Sequence, residues 1–278
     1  MSSERVPTGI RGRALTLDYE KTDVVHDASI SFEAGTVTAL VGPNGSGKST
    51  LLRAVARLHA PRLGGVQLDD DTDALLLARG DFARRVTLLA QTRPPATGIT
   101  VRDVVEFGRH PHRGRWRGGD PGGAAAIEHA MTVTGVHEFA GRAIDRLSGG
   151  QMQRVWLASC LAQETGVLLL DEPTTFLDLR YQVEILDLVR ELSDDHGVTI
   201  GVVLHDLDQA ASVADTVVLL ADGAIVATGA AADVFTPERL SDVYGIRIDV
   251  DHDPLTGGLR TRAIGRHHSR HERTPTPR

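Results

Sequence analysis

The chain has 278 residues, 41% of them hydrophobic, enough for one large or two small domains with a real core. Its formal charge of −7 argues against non-specific nucleic-acid binding. No apolar run reaches ~18 residues, so no segment is expected to cross a bilayer, and Met1 to Arg5 lack a signal-peptide stretch, which points to the cytoplasm.

From Arg11 to about Leu40 the pattern is short and alternating, with a turn near Glu33-Ala34-Gly35, and predicts antiparallel strands leading into a buried strand over Val37 to Val41. The next stretch, Gly42-Pro43-Asn44-Gly45-Ser46-Gly47-Lys48-Ser49-Thr50, has the spacing G-x-x-x-x-G-K-[ST]. Small residues there bend the backbone so that successive N–H groups point at a polyphosphate, and a following helix adds its dipole. Helical apolar spacing at Leu51, Leu52, Val55 and Leu58 supplies that helix. Lys48 is one of two lysines among thirty Lys and Arg residues. A chain so biased toward Arg keeps Lys where a compact ammonium suits phosphate oxygens. Lys48 is therefore expected at the β/γ-phosphates of a nucleotide and the Ser49 hydroxyl at Mg²⁺; the plain alternative is a Gly-rich turn.

Val66 to Asp69 and Val86 to Ala90 read as further strands, and between Gly98 and Gln163 the signals turn helical, at Val101 to Phe107, Ala124 to Thr134 and Gln151 to Ala162. Leu147-Ser148-Gly149-Gly150-Gln151 opens the last of these, with Ser148 as N-cap and two glycines leaving N–H groups uncovered. A capped helix is the plain reading, but the stretch is also a second phosphate-binding surface, and one nucleotide does not need two complete cradles. Cys160, the only cysteine, lies in this apolar helical stretch and reads as an inert reduced thiol.

Val167 to Leu170 is a buried strand ending in Asp171 and Glu172, the first placed to hold Mg²⁺ through water and the second to orient or deprotonate an attacking water. Strand candidates at Val198 to Leu204 and Val217 to Leu220 alternate with helices at Gln182 to Leu192 and Leu207 to Ala214, which argues a parallel α/β core with the helical middle inserted. The last residues, 263–278, are polar and Pro-containing and read as a disordered tail.

Taken together, Gly42 to Thr50, Gln91, Leu147 to Gln151, Val167 to Glu172 and His205 resemble the nucleotide-binding subunit of ATP-binding cassette (ABC) transporters, over about Gly12 to Thr261. The resemblance implies an α/β P-loop NTPase fold over residues 10–262, with a mixed, largely parallel sheet, an N-terminal antiparallel β subdomain and a helical subdomain inserted at about 98–163. It also implies a head-to-tail dimer holding two ATP molecules, each on the P-loop of one chain and under Ser148, Gly149, Gly150 and Gln151 of the other. By the same resemblance Tyr19 stacks on adenine, Gln91 senses Mg²⁺ and the attacking water, Glu172 is the catalytic carboxylate, His205 is the switch at the γ-phosphate, and Asp178 crosses the interface. A strand aromatic is the plain alternative for Tyr19, and a helix-capping residue for His205.

A finer resemblance covers Gly98 to Val105, Gly108-Arg109-His110-Pro111-His112, Glu172 to Leu179, His205 to Ala210 and Asp253 to Gly257, which look like the ATPases of iron-siderophore importers, with haem and cobalamin importers close by. Asp208 stands where Asn is more usual, Phe176 where Tyr is common, and Asp70-Asp71 in a turn that often has Gly. The implied partners are membrane permease subunits, received by Thr92 to Arg117 at the cytoplasmic face of the membrane, and indirectly a substrate-binding protein. Within that stretch the Arg113 to Gly119 loop is basic, either solvated or in contact with the partner. A soluble ABC ATPase, for example in iron–sulfur assembly, is the alternative with the same catalytic residues. A DNA-repair ATPase needs a longer insertion or a zinc module.

Overall fold

The computed structural model of the chain describes residues 8–92, 98–113 and 119–265. Its first strands, β1 (Ile10–Tyr19) and β2 (Thr22–Phe32), form a hairpin in which Glu20 and Lys21 take φ of 49° and 71°, the left-handed pair that a tight two-residue turn demands. Then follow β3 (Val37–Val41), α1 (Lys48–Val55) and β4 (Leu63–Leu68). Strand β4 joins the free edge of β1, giving an antiparallel sheet in the order β2-β1-β4.

The chain continues through α2 (Arg79–Ala83), β5 (Val86–Leu89), α3 (Val101–Phe107), α4 (Gly123–Val133), α5 (Gly149–Ala162), β6 (Val167–Asp171), α6 (Leu179–Asp194), β7 (Thr199–Val203), α7 (Leu207–Val213) and β8 (Thr216–Ala221). It closes with β9 (Ala224–Gly229), α8 (Ala231–Val234), α9 (Pro237–Tyr244), β10 (Arg247–His252) and β11 (Leu259–Ile264). A second sheet runs β5-β6-β7-β3-β8-β9, parallel throughout except for the last pair.

Every residue of β3, β6 and β7 is buried. Apolar layers cover both faces of the sheet, so these strands read as continuous apolar runs. The period of two still sorts them. Val37, Ala39, Leu168, Leu170, Ile200 and Val202 face the layer of α6 and α7, while Leu40, Val167, Leu169 and Val203 face α1 and the small antiparallel sheet. Gly201 interrupts β7 because the Phe32 ring comes within 2.3 Å of where its Cβ would lie.

Helices α3, α4 and α5 enclose a third apolar cluster built on Val104, Val105, Met131, Ile144 and Val155. At Gly108 a Cβ would lie 1.9 Å from the Ser159 carbonyl oxygen, so the end of α3 meets α5 backbone to backbone. The next residue, Arg109, is 2% exposed and forks onto Asp120 (2.6 and 2.7 Å), Glu164 (2.7 Å) and the Ala162 carbonyl (2.8 Å). Hydrogen bonding to Arg109 holds the Asp120 carboxyl below its usual value.

Most expected elements fall within a residue or two of the observed ones. Helix α1 stops at Val55, three residues before the Leu58 expected from apolar spacing, because Arg57 turns left-handed (φ 58°) and leaves Leu58 68% exposed. Strand β9 and everything after it had no counterpart in the sequence reading. The tail expected over 263–278 falls almost wholly on residues outside the described ones, since the description ends at residue 265.

Candidate functional site

Three neighbouring strands, β6, β7 and β3, end on the same edge of the sheet. The loops that leave those ends therefore meet, as ligand sites of parallel sheets do. From β3 comes the glycine loop. Gly42 takes φ 143°, and a Cβ there would stand 2.0 Å from the Leu220 carbonyl oxygen; Gly47 takes φ 97°, with Val25 Cγ2 2.8 Å from its missing Cβ. Gly45 takes φ 80° and has nothing within 4 Å of its missing side chain, so the backbone there stands open. The Ser46 hydroxyl is buried with no partner of its own. Lys48, 5% exposed, folds back so that its ammonium donates to the carbonyls of Gly42 and Pro43, both at 2.8 Å. Burial pushes its pKa below 10.5, and the carboxylates of Glu172 and Asp171 oppose that shift.

Strand β6 delivers the two carboxylates. Asp171 is 1% exposed; its Oδ1 accepts the Ser49 hydroxyl at 2.5 Å and its Oδ2 accepts Arg53 at 3.0 Å, so both oxygens are held from α1. Glu172 leaves the strand at φ 55°, a left-handed turn rare for a side chain of its size. Its Oε2 accepts Gln91 Nε2 at 2.5 Å and the Thr175 hydroxyl at 3.2 Å, and its Oε1 meets His205 Nε2 at 2.6 Å. Gln91 arrives from the end of β5 and His205 from the end of β7.

Between these loops lies a cavity of about 300 Å³, lined by Asn44, Gly45, Gly47, Lys48, Ser49 and Thr50 on the loop side, by Glu172 and His205 opposite, and by Tyr19 and Val24. That is the low end of small-ligand pockets. Tyr19 is 45% exposed and its ring centroid sits 4.7 Å from that of His59. A larger hollow of about 560 Å³ lies beside Arg57, Phe82 and Gln163, but no candidate site residue lines it.

Ser148 to Gln151 are brought to a different place, the start of α5, and none of them lines the glycine-loop cavity. Ser148 Oγ accepts the Gln151 N–H at 3.2 Å while Gln151 Oε1 accepts the Ser148 N–H at 3.1 Å, a reciprocal cap. Gly150 lies against the Tyr181 ring, whose hydroxyl is 3.4 Å from Ser148 Oγ. Asp178 caps α6 by accepting the Tyr181 N–H at 3.1 Å. Beside this second cluster Phe176, Leu179 and Val183 are 98%, 80% and 56% exposed.

Arg53, Thr175, Val24 and Tyr181 were missed by sequence reasoning. Arg53 had a signal, lying one helical turn after Ser49 on the same face; Tyr181 had none. Of the expected partner segment Thr92 to Arg117, residues 93–97 and 114–117 lie outside the described residues. In the remainder, Arg109 is spent on buried ion pairs and the His112 ring bonds the Gln163 carbonyl at 2.7 Å.

The family model described as "ABC transporter" matches residues 25–175. The chain is 43% identical over 260 residues to the ferric enterobactin transport ATP-binding protein FepC of Escherichia coli, covering 92% of this chain and 94% of that one. It is 40% identical over 242 residues to the iron(3+)-hydroxamate import ATP-binding protein FhuC of Bacillus subtilis, covering 87% and 90%. Among solved structures, a chain of an ABC transporter described as of metal-chelate type, in an inward-facing conformation, superposes with a TM-score of 0.80 at 22% identity, covering 93% of this chain and 98% of that one. The dimeric structure of MJ0796, a bacterial ABC transporter cassette, gives 0.68 at 25% identity, covering 80% and 98%.

Proposed function

The chain belongs to the ABC transporter family, and from that premise we propose a division of labour among the residues of its two clusters. It is the ATP-hydrolysing subunit of an importer, works as a dimer, and associates peripherally with membrane permease subunits. The cargo is an iron-siderophore complex or a related metal chelate such as haem or cobalamin; the names of the relatives support this reading.

In this reading Gly42 to Thr50 cradle the phosphates of ATP. The partnerless Ser46 hydroxyl and the open space at Gly45 fit that role, since a buried hydroxyl without a partner is costly until something bonds it. Lys48 exchanges its two carbonyl bonds for phosphate oxygens, and Tyr19 offers its ring to the adenine. Ser49, Asp171 and Gln91 hold Mg²⁺: a hydroxyl and a carboxylate oxygen 2.5 Å apart are the oxygen donors a hard cation selects. The ion, when bound, neutralises charge on the transferring phosphoryl group.

One observation carries the enzymatic assignment. Glu172 is held through both oxygens, by Gln91 and Thr175 on one and His205 on the other, at the edge of the cavity that Lys48 lines. A carboxylate so fixed orients a water and takes its proton, while His205 addresses the γ-phosphate. The two-cradle problem resolves if Ser148, Gly149, Gly150 and Gln151 close on ATP held by a second copy, with Asp178 crossing the same interface. The separation of the two clusters and the exposed Phe176, Leu179 and Val183 support that arrangement. The permease contacts the segment after Gln91, at the cytoplasmic face of the membrane, and a substrate-binding protein delivers cargo on the far side.

The test is Glu172→Gln, which keeps the size of the side chain and removes its basicity. ATP hydrolysis is expected to fall at least about a hundredfold while ATP still binds. Hydrolysis at the wild-type rate contradicts the assignment of Glu172.

A further inference from the structure

Glu172 and His205 meet at 2.6 Å, yet they stand on loops leaving different strands, so their meeting depends on what holds those loops together. A chain of side-chain hydrogen bonds links them from behind. The Thr174 hydroxyl donates to Gln209 Oε1 at 3.2 Å, Gln209 Nε2 donates to Gln182 Oε1 at 2.8 Å, and Gln182 Nε2 donates to the Leu177 carbonyl at 2.9 Å. A backbone carbonyl only accepts, so it dictates which way the Gln182 amide faces. That in turn fixes the Gln209 amide, and its oxygen is left for Thr174.

Both ends of this chain matter to the site. Thr174 is 7% exposed and lies two residues after Glu172; its neighbour Thr175 bonds Glu172 directly. Gln209 is in the first turn of α7, which begins two residues after His205, and its N–H donates to the Asp206 carboxylate that caps the helix, at 2.9 Å. Leu177 precedes Asp178.

We infer that Gln209 is a positioning residue: it staples the loop after Glu172 to the first turn of α7, so that it sets where Glu172 and His205 meet. Through Gln182 it also makes that meeting answer to the Leu177-Asp178 segment. The inference rests on the ATPase reading above, in which that segment faces the second copy. A contact with the second copy that displaces the Leu177 carbonyl would free Gln182 and, through it, Gln209, so the meeting of Glu172 with His205 depends on where that segment lies.

The experiment compares Gln209→Leu, Thr174→Val and Thr174→Ser with wild type for steady-state ATP hydrolysis, ATP affinity and thermal stability, and repeats Gln209→Leu in a His205→Ala background. Gln209→Leu and Thr174→Val are expected to lower kcat by about tenfold, with KM and ATP affinity unchanged within about twofold. Thr174→Ser keeps the hydroxyl and restores kcat. In the His205→Ala background Gln209→Leu has no further effect on kcat, since the Glu172–His205 contact it positions is already gone. A purely structural role predicts instead that the two losses multiply and that KM and stability move with kcat. Thr174→Val is nearly isosteric and keeps the test valid if Gln209→Leu does not fold. Wild-type turnover in Thr174→Val, or a full additional loss on top of His205→Ala, overturns the inference alone. A wild-type chain that binds no ATP overturns the ATPase reading and the inference with it.

Discussion

Substituting Gly150 with Ala should invert the usual sign of a glycine-to-alanine change in a helix. In a helix Ala is favoured over Gly by roughly 0.5–1 kcal/mol, chiefly because the unfolded chain has less freedom to lose. At Gly150, the second residue of α5, the added Cβ would stand 2.2 Å from Cγ and Cδ1 of Tyr181 and 2.8 Å from its Cδ2. Rotating the ring about its own axis leaves Cγ where it is. Relief therefore requires Tyr181 to change χ1 or α5 to move, and both motions disturb the cap from Asp178 and the approach of the Tyr181 hydroxyl to Ser148. Overpacking of this kind costs about 1–3 kcal/mol. The net expectation is a loss of about 1–2 kcal/mol, or roughly 2–4 °C of Tm per kcal/mol in a chain of this size. Thermal unfolding of the nucleotide-free chain measures it, with Tyr181→Ala and the double variant as companions. In the Tyr181→Ala background Gly150→Ala becomes neutral or mildly stabilising, a coupling of about 2 kcal/mol. A Gly150→Ala chain as stable as the parent refutes the reasoning.

Lys48→Ala should weaken ATP binding by more than about a hundredfold, because it removes a charged donor to phosphate, while circular dichroism stays that of the wild type; near-wild-type affinity in a calorimetric titration removes Lys48 from the phosphate site. The same variant has a pH signature. Burial lowers the folded-state pKa of Lys48 below 10.5, so between the two values the unfolded chain binds more protons. Wild-type stability relative to Lys48→Ala therefore rises with pH across that window, measurable by urea unfolding; a flat or falling difference contradicts the burial argument. Asp120→Asn leaves Arg109, 2% exposed, without its bidentate partner and is expected to cost about 2 kcal/mol. Since Asp120 has a lowered folded pKa, that contribution is complete above its unfolded value and disappears as pH falls through the folded one; denaturation curves at neutral and acid pH check it.

How much of this was legible in the chain depends on whether the contacts are local. The glycine loop, the apolar strand into Asp171 and Glu172, and the Ser148 cap are each confined to a few consecutive residues, and their types dictate the backbone they need. Strand order is not local: nothing in the residues of β3 requires β7 on one side and β8 on the other. Nor do the bonds from Ser49 to Asp171, or from Gln209 to Thr174 and Gln182, leave a trace in spacing, since their partners lie 122, 35 and 27 residues apart. The β10-β11 hairpin was hidden for another reason. Half of its strand residues are exposed and its apolar alternation is confined to Ile248 and Val250, too short a period to stand out, while the turn residues of Asp253-Pro254-Leu255-Thr256-Gly257 double as a family mark. Gly108 and Arg109 belonged to the same family mark, and the structure gives them a packing reason: close approach to Ser159 and a buried ion-pair cluster.

The central claim is that an ATP held by Lys48 of one chain is covered by Ser148 of another. The most direct measurement is light scattering, with ATP and Mg²⁺, of a one-to-one mixture of Lys48→Ala and Ser148→Arg chains, each also carrying Glu172→Gln so that bound ATP persists. Each chain alone lacks one half of every composite site and should remain at the 29.8 kDa of a monomer. The mixture assembles one complete site, with Lys48 from the Ser148→Arg chain and Ser148 from the Lys48→Ala chain, and should shift to twice that mass only when ATP is present. A mixture as monomeric as its components, or a component that dimerises with ATP by itself, contradicts the shared site.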